Sequence, residues 1–145
     1  RLAMANFLTN IGEEYVVENN INGATVTVGV YNDSTDALGE TSTLGSITTE
    51  ATGSAYARQS STVTTKQISG DFGFDSDSTL TFDVTDSSQT VDHGFLVVNF
   101  QSDTVAGDGS ANDHLIGVDA LTQGRDLSQI DTLEINAGSL SFTLD

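Results

Sequence analysis

The sequence contains no cysteine and no proline, and only 4 of its 145 residues are Lys or Arg. Without cysteine the chain can form neither a disulfide, nor a thiol nucleophile, nor a cysteine-ligated zinc site. Without proline, edge strands must be protected by charge, bulges or a partner subunit. No apolar run approaches the roughly 20 residues that a helix needs to cross a bilayer, and we therefore expect no membrane insertion.

Acidic residues dominate the charge: 21 Asp and Glu give a formal net charge of -17. This field repels nucleic acid and anionic membrane surfaces, which excludes nucleic acid as an expected partner. The acids are spread along the chain, and Lys66 is the single lysine. Such a composition is typical of halophilic proteins, in which concentrated salt screens the repulsion between carboxylates.

Length and sequence pattern predict one domain over residues 1–145, large enough to bury roughly 68% of its unfolded surface. Met4 looks like a native start, and residues 1–3 are left out of the fold prediction as an added or upstream segment. A helix is predicted over residues 5–18. Its expected core face carries Phe7, Leu8, Ile11 and Tyr15, and Asn6 or Thr9 is expected to cap its start.

The remainder of the chain has the period of strands. Thr and Val alternate over residues 24–31, and Leu80, Phe82 and Val84 share one face. Residues 94–100 are continuously apolar, which predicts a strand buried on both faces. Between strands, residues 35–52 are expected to form a surface loop pinned by Leu38, Leu44 and Ile47. The predicted fold is all-β, an antiparallel β-sandwich resembling a jelly roll, with one short N-terminal helix.

The last sixteen residues, Ile130 to Asp145, contain two alternating runs separated by Asn136-Ala137-Gly138. Leu133 and Ile135 are apolar in the first run, and Leu140, Phe142 and Leu144 are apolar in the second. Two alternating runs around Asn and Gly predict a β-hairpin with one buried face.

Catalytic patterns are missing from the sequence. The two histidines, His93 and His114, stand in no recognisable nucleophile or zinc spacing, and His93 is interpreted as a hydrogen-bonded strand residue. A pair of carboxylates for glycoside hydrolysis can be chosen at will among 21 acids, and such a pair therefore indicates nothing. We expect no enzyme activity and no organic cofactor.

Hard oxygen ligands occur in two stretches that are expected to be loops. The candidate metal ligands are Asp103, Asp108 and Asp113 in the acidic segment from Gln101 to His114, and Asp75 and Asp77 offer a second group. Calcium or magnesium would suit these ligands, although neither stretch follows the EF-hand pattern, and solvated acidic surface is the favoured interpretation.

Scarce arginines are expected to hold carboxylates by bidentate pairs. Arg58 and Arg125 are the candidates, and we predict that Arg125 forms a structural clasp with Asp131 at the start of the last hairpin, with Asp126 as the alternative partner. Asn32-Asp33-Ser34 also fits an N-glycosylation acceptor in a turn.

Three stretches carry a resemblance to a known group of proteins. They are Phe7-Leu8-Thr9-Asn10-Ile11-Gly12-Glu13-Glu14-Tyr15, then Gly53-Ser54-Ala55-Tyr56-Ala57-Arg58-Gln59, and Arg125-Asp126-Leu127-Ser128 followed by Asp131-Thr132-Leu133-Glu134-Ile135. With these motifs the chain resembles small virion structural proteins of tailed bacteriophages and of haloarchaeal tailed viruses.

The resemblance implies a non-enzymatic protein that decorates the capsid as a turret or spike, in a homo-oligomer. The expected location is the surface of a virion assembled in the host cytoplasm, and the expected partners are other copies of the chain and the major capsid protein. Two alternatives stay open. One is a tail or fibre component that contacts the host surface, and the other is a calcium-dependent carbohydrate-binding module.

The halophilic composition predicts that salt stabilises the fold. Raising KCl from about 0.1 M to about 3 M should shorten the screening length from about 10 Å to about 3 Å or less and raise the urea midpoint of unfolding. Circular dichroism at several salt concentrations measures this midpoint. Equal stability at both concentrations would contradict the prediction.

Overall fold

The computed structural model describes residues 8–23, 25–99 and 113–144. Its helices are α1 (Asn10–Asn20) and the one-turn α2 (Asp33–Asp36), and short 3-10 turns lie at Leu44–Ser46 and Leu127–Gln129. The strands are β1 (Thr25–Tyr31), β2 (Gln59–Ile68), β3 (Asp71–Ser76), β4 (Leu80–Asp83), β5 (Thr90–Asn99), β6 (Asp113–Asp126), β7 (Thr132–Ile135) and β8 (Ser141–Thr143).

These strands form two antiparallel sheets. The larger sheet has six strands in the order β6-β5-β1-β2-β3-β8, and the smaller pairs β4 with β7. The turn between β2 and β3 places Ser69 and Gly70 at positive φ, as a tight two-residue hairpin loop requires. The predicted all-β antiparallel fold with a short N-terminal helix is confirmed.

The large sheet curls until its two edge strands approach each other. The backbone N–H of Ser141 in β8 donates a hydrogen bond of 3.0 Å to the carboxylate of Asp119 in β6. The ring of Phe142 lies over Gly117, where a Cβ atom would overlap it. Side-chain contacts therefore cover the two edges of a sheet that has no proline to protect it.

The main core lies between the large sheet and the β4–β7 pair. Fully buried Val26, Val28 and Val30 of β1 face this core together with Phe82 of β4. Tyr56, in the loop before β2, stacks on Phe82 at 5.9 Å between ring centroids. The alternating period of β1 therefore predicts its buried face correctly.

A second, smaller cluster lies on the opposite face of the large sheet, and it contains Tyr31, Phe95 and Val97. The half-buried side chains of Leu38, Leu44 and Ile47 cover it. Both the predicted burial of the two faces of β5 and the three predicted loop anchors are confirmed. Because Phe95 fills the space over Gly29, any side chain at that position would overlap the aromatic ring.

The prediction of a C-terminal hairpin is wrong. The two alternating runs do become β7 and β8, but β7 pairs with β4 in the small sheet and β8 pairs with β3 in the large one. Gly138, at φ +76, donates its N–H to the carbonyl of Ser76 at 2.8 Å, which carries the chain from one sheet to the other. Alternation of apolar residues specifies a buried face and leaves the partner strand open.

The position and the orientation of α1 also differ from the prediction. The helix spans Asn10–Asn20 rather than 5–18, and Thr9 caps it by accepting a hydrogen bond from the N–H of Gly12. Residues 5–7, including Phe7, lie outside the described residues. The expected core face of α1 is exposed, as described below.

Removal of the Phe82 ring should be costly because its side chain is fully buried between the sheets. We expect Phe82→Ala to lower the free energy of unfolding by about 3–5 kcal/mol. Urea unfolding in high salt measures this difference. The matched control is Thr81→Ala at the exposed neighbouring position, which should cost about 0.5 kcal/mol. Equal effects of the two substitutions would show that β4 does not face the core.

Candidate functional site: a helix surface and a polar cleft

Many of the acidic side chains stabilise loops by accepting hydrogen bonds from Ser and Thr. Asp92 accepts from the hydroxyl of Ser34 at 2.6 Å and from the N–H of Asp33 at 2.7 Å, which attaches α2 to β5. Asp36 accepts from the hydroxyl and the N–H of Thr49 in the same way. These carboxylates have a structural role, which the sequence alone did not assign to them.

This hydrogen bonding lowers the pKa of the Asp92 carboxyl. Although burial opposes the shift, bonds from Ser34, from His93 and from the backbone N–H of Asp33 lower the pKa of Asp92 to about 2. The Nδ1 atom of His93 lies 2.9 Å from Oδ1 of Asp92, which confirms His93 as a hydrogen-bonded strand residue. The pKa of Asp36 is likewise lowered, again against burial, by bonds from Thr48 and Thr49.

The predicted metal ligands are only partly described by the structure. Asp103 and Asp108 lie outside the described residues, whereas Asp113 is the first residue of β6 and is half-buried. The end of the expected acidic loop, Asp113 and His114, is therefore strand, and His114 is buried. Among the described residues no group of three or more His, Asp or Glu side chains converges to hold a metal ion. The calcium or magnesium site stays a prediction.

Arg58 forms the predicted bidentate pair. Its Nε and Nη2 atoms donate to the two carboxylate oxygens of Glu50, both at 2.8 Å, and its guanidinium lies 5.1 Å from the centre of the Phe95 ring. The Glu50 carboxylate also accepts from the hydroxyl of Tyr56. Because these contacts cover Phe95 and fix the loop before β2, the role of Arg58 is structural.

Arg125 and Asp131 are both exposed, and the structure does not bring them together. Within the described ranges the ion pairs join Arg58 to Glu50 and Lys66 to Asp75, and His93 contacts Asp92 by a hydrogen bond. The predicted Arg125–Asp131 clasp is therefore not formed. The alternative partner Asp126 accepts hydrogen bonds from Ser128 instead.

Arg125 borders a cleft of about 190 Å³ between β6, β7 and the segment that follows β7. Its polar rim is formed by Thr122, Gln123, Arg125, Glu134, Asn136 and Ser139. Leu121, Leu133 and Leu140 add an apolar part to the lining. The lining of the cleft thus combines a cation, a carboxylate, two amides, two hydroxyls and apolar side chains. Sequence pattern does not predict this cleft, because its residues come from three separate segments.

The second candidate is the helix stripe, formed by Ile11 and Tyr15 of α1 and by Leu8, which lies just before the helix begins. The side chains of Leu8, Ile11 and Tyr15 are 49%, 79% and 69% exposed. At 3.6 residues per turn, Val17 points to the side of the helix roughly opposite Tyr15, and Val17 is the residue that packs into the core. The predicted core face of α1 is therefore wrong, because the helix packs with its opposite side on the sheet.

Polar contacts explain why α1 packs in this orientation. Glu13 is buried, and its carboxylate accepts a hydrogen bond of 3.0 Å from the backbone N–H of Phe72 in β3. Just beyond the helix, Asn22 accepts from the N–H of Thr65 and Gly23 donates to the carbonyl of Val63. A buried glutamate fixes the helix, a role that hydrophobic periodicity does not reveal.

Comparison of the chain with protein-family models, with curated proteins and with solved structures finds no match. Within the described ranges, no helix is both long and apolar enough to cross a membrane. The helix stripe and the cleft are the two surface features of the described residues that bear on function.

The depressed pKa of Asp92 predicts a loss of stability in acid. The native state favours the ionised carboxylate, so the stabilisation is present above the ordinary pKa of about 4 and is lost as the pH falls toward 2. For this partly exposed group we expect on the order of 1–2 kcal/mol. Asp92→Asn should therefore lower the free energy of unfolding at pH 7, and its difference from wild type should shrink below about pH 4.

Urea unfolding from pH 7 to pH 2 tests this expectation. Asp71→Asn is the matched control, since Asp71 is exposed and accepts no side-chain hydrogen bond from the described residues. A deficit of Asp92→Asn that stays constant across this pH range would contradict the assignment.

Proposed function

We propose that this chain is a non-enzymatic structural protein of the virion of a haloarchaeal tailed virus, where it decorates the capsid as a homo-oligomer. The observation that carries the proposal is the helix stripe, where Ile11 is 79% and Tyr15 69% exposed on a chain of net charge -17. Contiguous exposed apolar residues with polar surroundings mark surfaces that bind other proteins.

A second copy of the chain is the occupant that we propose for the helix stripe. Ile11 and Tyr15 follow the i, i+4 spacing of helix-to-helix contacts, and Leu8 extends the apolar surface just before the helix. A surface of this kind can be self-complementary about a two-fold axis. The three stripe side chains are uncharged, and exposed Glu14 and Glu18 lie beside them on the helix. Repulsion between copies would be screened in concentrated salt, where the acidic composition indicates that the protein works.

The fold also supports a structural role. Asp119 and Phe142 cover the two curled edges of the large sheet within one chain, so pairing of those edges with another copy is not needed to protect them. Acidic side chains fix loops among the described residues, as Asp92 does for α2. The resemblance to small virion proteins of tailed viruses, seen in the sequence, supports the same function.

The proposal predicts a defined oligomer in about 3 M KCl, measured by multi-angle light scattering. Ile11→Glu should convert the oligomer to monomer, because it places a charge in the stripe, and it should leave the fold intact, because Ile11 is largely exposed. Gln129→Glu is the matched control, which adds the same charge at an exposed position away from α1.

Two outcomes would overturn different parts of the proposal. A wild type that stays monomeric at every salt concentration, or an Ile11→Glu variant that stays oligomeric, would reject the helix stripe as the contact. Mass spectrometry of purified virus particles tests the location. Absence of the chain from the particles would reject the virion role whatever its oligomeric state.

A further inference from the structure

Among the lysine and arginine side chains that the structure describes, Arg125 is set apart by its lack of a carboxylate partner. In the part of the chain that the structure describes, Arg58 pairs with Glu50 and Lys66 pairs with Asp75, whereas Arg125 takes part in no ion pair. A guanidinium presents a planar fork of donors that matches a carboxylate bidentately. On a chain of net charge -17, Arg125 is a rare point that can attract a carboxylate ligand.

The surroundings of Arg125 restrict the ligand further. Glu134, in the same lining, accepts hydrogen bonds from hydroxyl groups, which a simple anion such as chloride does not carry. Asn136 and Gln123 supply amide groups that both donate and accept, and Leu133 and Leu140 present apolar surface. A ligand that suits this rim carries one carboxylate, several hydroxyls and a small apolar face.

The size of the cleft sets an upper limit on the ligand. At about 190 Å³ it is smaller than the roughly 300–1,000 Å³ of pockets that enclose drug-sized molecules. It therefore has room for a single small unit, and a longer chain would have to extend from it into solvent.

From these observations we infer that the cleft between β6 and β7 binds one sugar-acid unit, with Arg125 holding the carboxylate and Glu134 and Asn136 holding hydroxyls. The site does not depend on the helix stripe and goes beyond a purely structural role, because it gives the protein a means of recognising acidic glycans. Free sugar acid and a glycan ending in that unit share this chemistry.

Titration calorimetry of the full chain with D-glucuronate tests the inference. We expect weak binding, with a Kd of about 1 mM, and a loss of at least about tenfold in Arg125→Gln. Arg125→Lys should keep part of the affinity, since it retains the charge and loses the fork. Lys66→Gln is the matched control, because it removes the same charge from the pair with Asp75 on the exposed side of β2, away from the cleft.

Two further ligands make the test specific. Glucose has the hydroxyls without the carboxylate, and acetate has the carboxylate without the hydroxyls, so both should bind at least about tenfold more weakly than glucuronate. An oligosaccharide ending in glucuronate distinguishes a glycan ligand from a free sugar acid. If the natural ligand is a glycan, the oligosaccharide should bind at least as well as the free acid. If the cleft cannot accommodate a linked unit, only the free acid should bind. No heat with glucuronate, equal binding of acetate, or unchanged binding by Arg125→Gln would overturn the inference.

Discussion

The burial of β5 on both faces is the constraint on which the rest of the structure depends. A strand whose successive side chains all avoid water needs a separate cover on each side. Leu96 and Val98 face the main core under the β4–β7 pair, whereas Phe95 and Val97 face the loop between β1 and β2. The apolar run of β5 therefore needs two covering layers, the β4–β7 pair and the loop between β1 and β2, which come from different parts of the sequence.

The outer cover shows how the chain stabilises a loop without proline or disulfides. Three apolar side chains from residues 38–47 pack on Phe95 and Tyr31, and the Arg58–Glu50 pair covers Phe95 from the other end of the loop. Asp36 and Asp92 then fix the loop backbone by accepting hydrogen bonds from Ser and Thr. Ionised carboxylates are strong acceptors, so the abundant acids and hydroxyls together replace the rigidity that proline would supply.

For the strands of this protein, sequence pattern predicts which face is buried far better than it predicts which strand pairs with which. Period-two spacing depends only on local geometry, and it correctly predicts that Leu133, Ile135 and Leu140 are buried. It does not predict the pairing of β7 with β4, because strand partners depend on contacts between distant segments. The same reasoning explains the cleft, whose rim comes from residues separated along the chain.

The helix shows a different limit. Periodicity assigned Ile11 and Tyr15 to the core because they are apolar, and the buried Glu13 outweighs that preference. A glutamate can be buried when its carboxylate accepts a hydrogen bond from a backbone N–H. Here Glu13 accepts from the N–H of Phe72. Burying Ile11 instead would rotate the helix, expose Val17 and leave that donor without its acceptor.

The excess of acidic over basic residues also bears on which of the few basic side chains form ion pairs. With so many acids, a basic side chain that pairs internally is held in a structural role, as Arg58 and Lys66 are. A cation left without such a pair remains available to ligands, and the structure leaves Arg125 in this state beside the polar cleft. Although acids are abundant along the chain, none of the described carboxylates forms an ion pair with Arg125, and its guanidinium keeps its donors for a ligand.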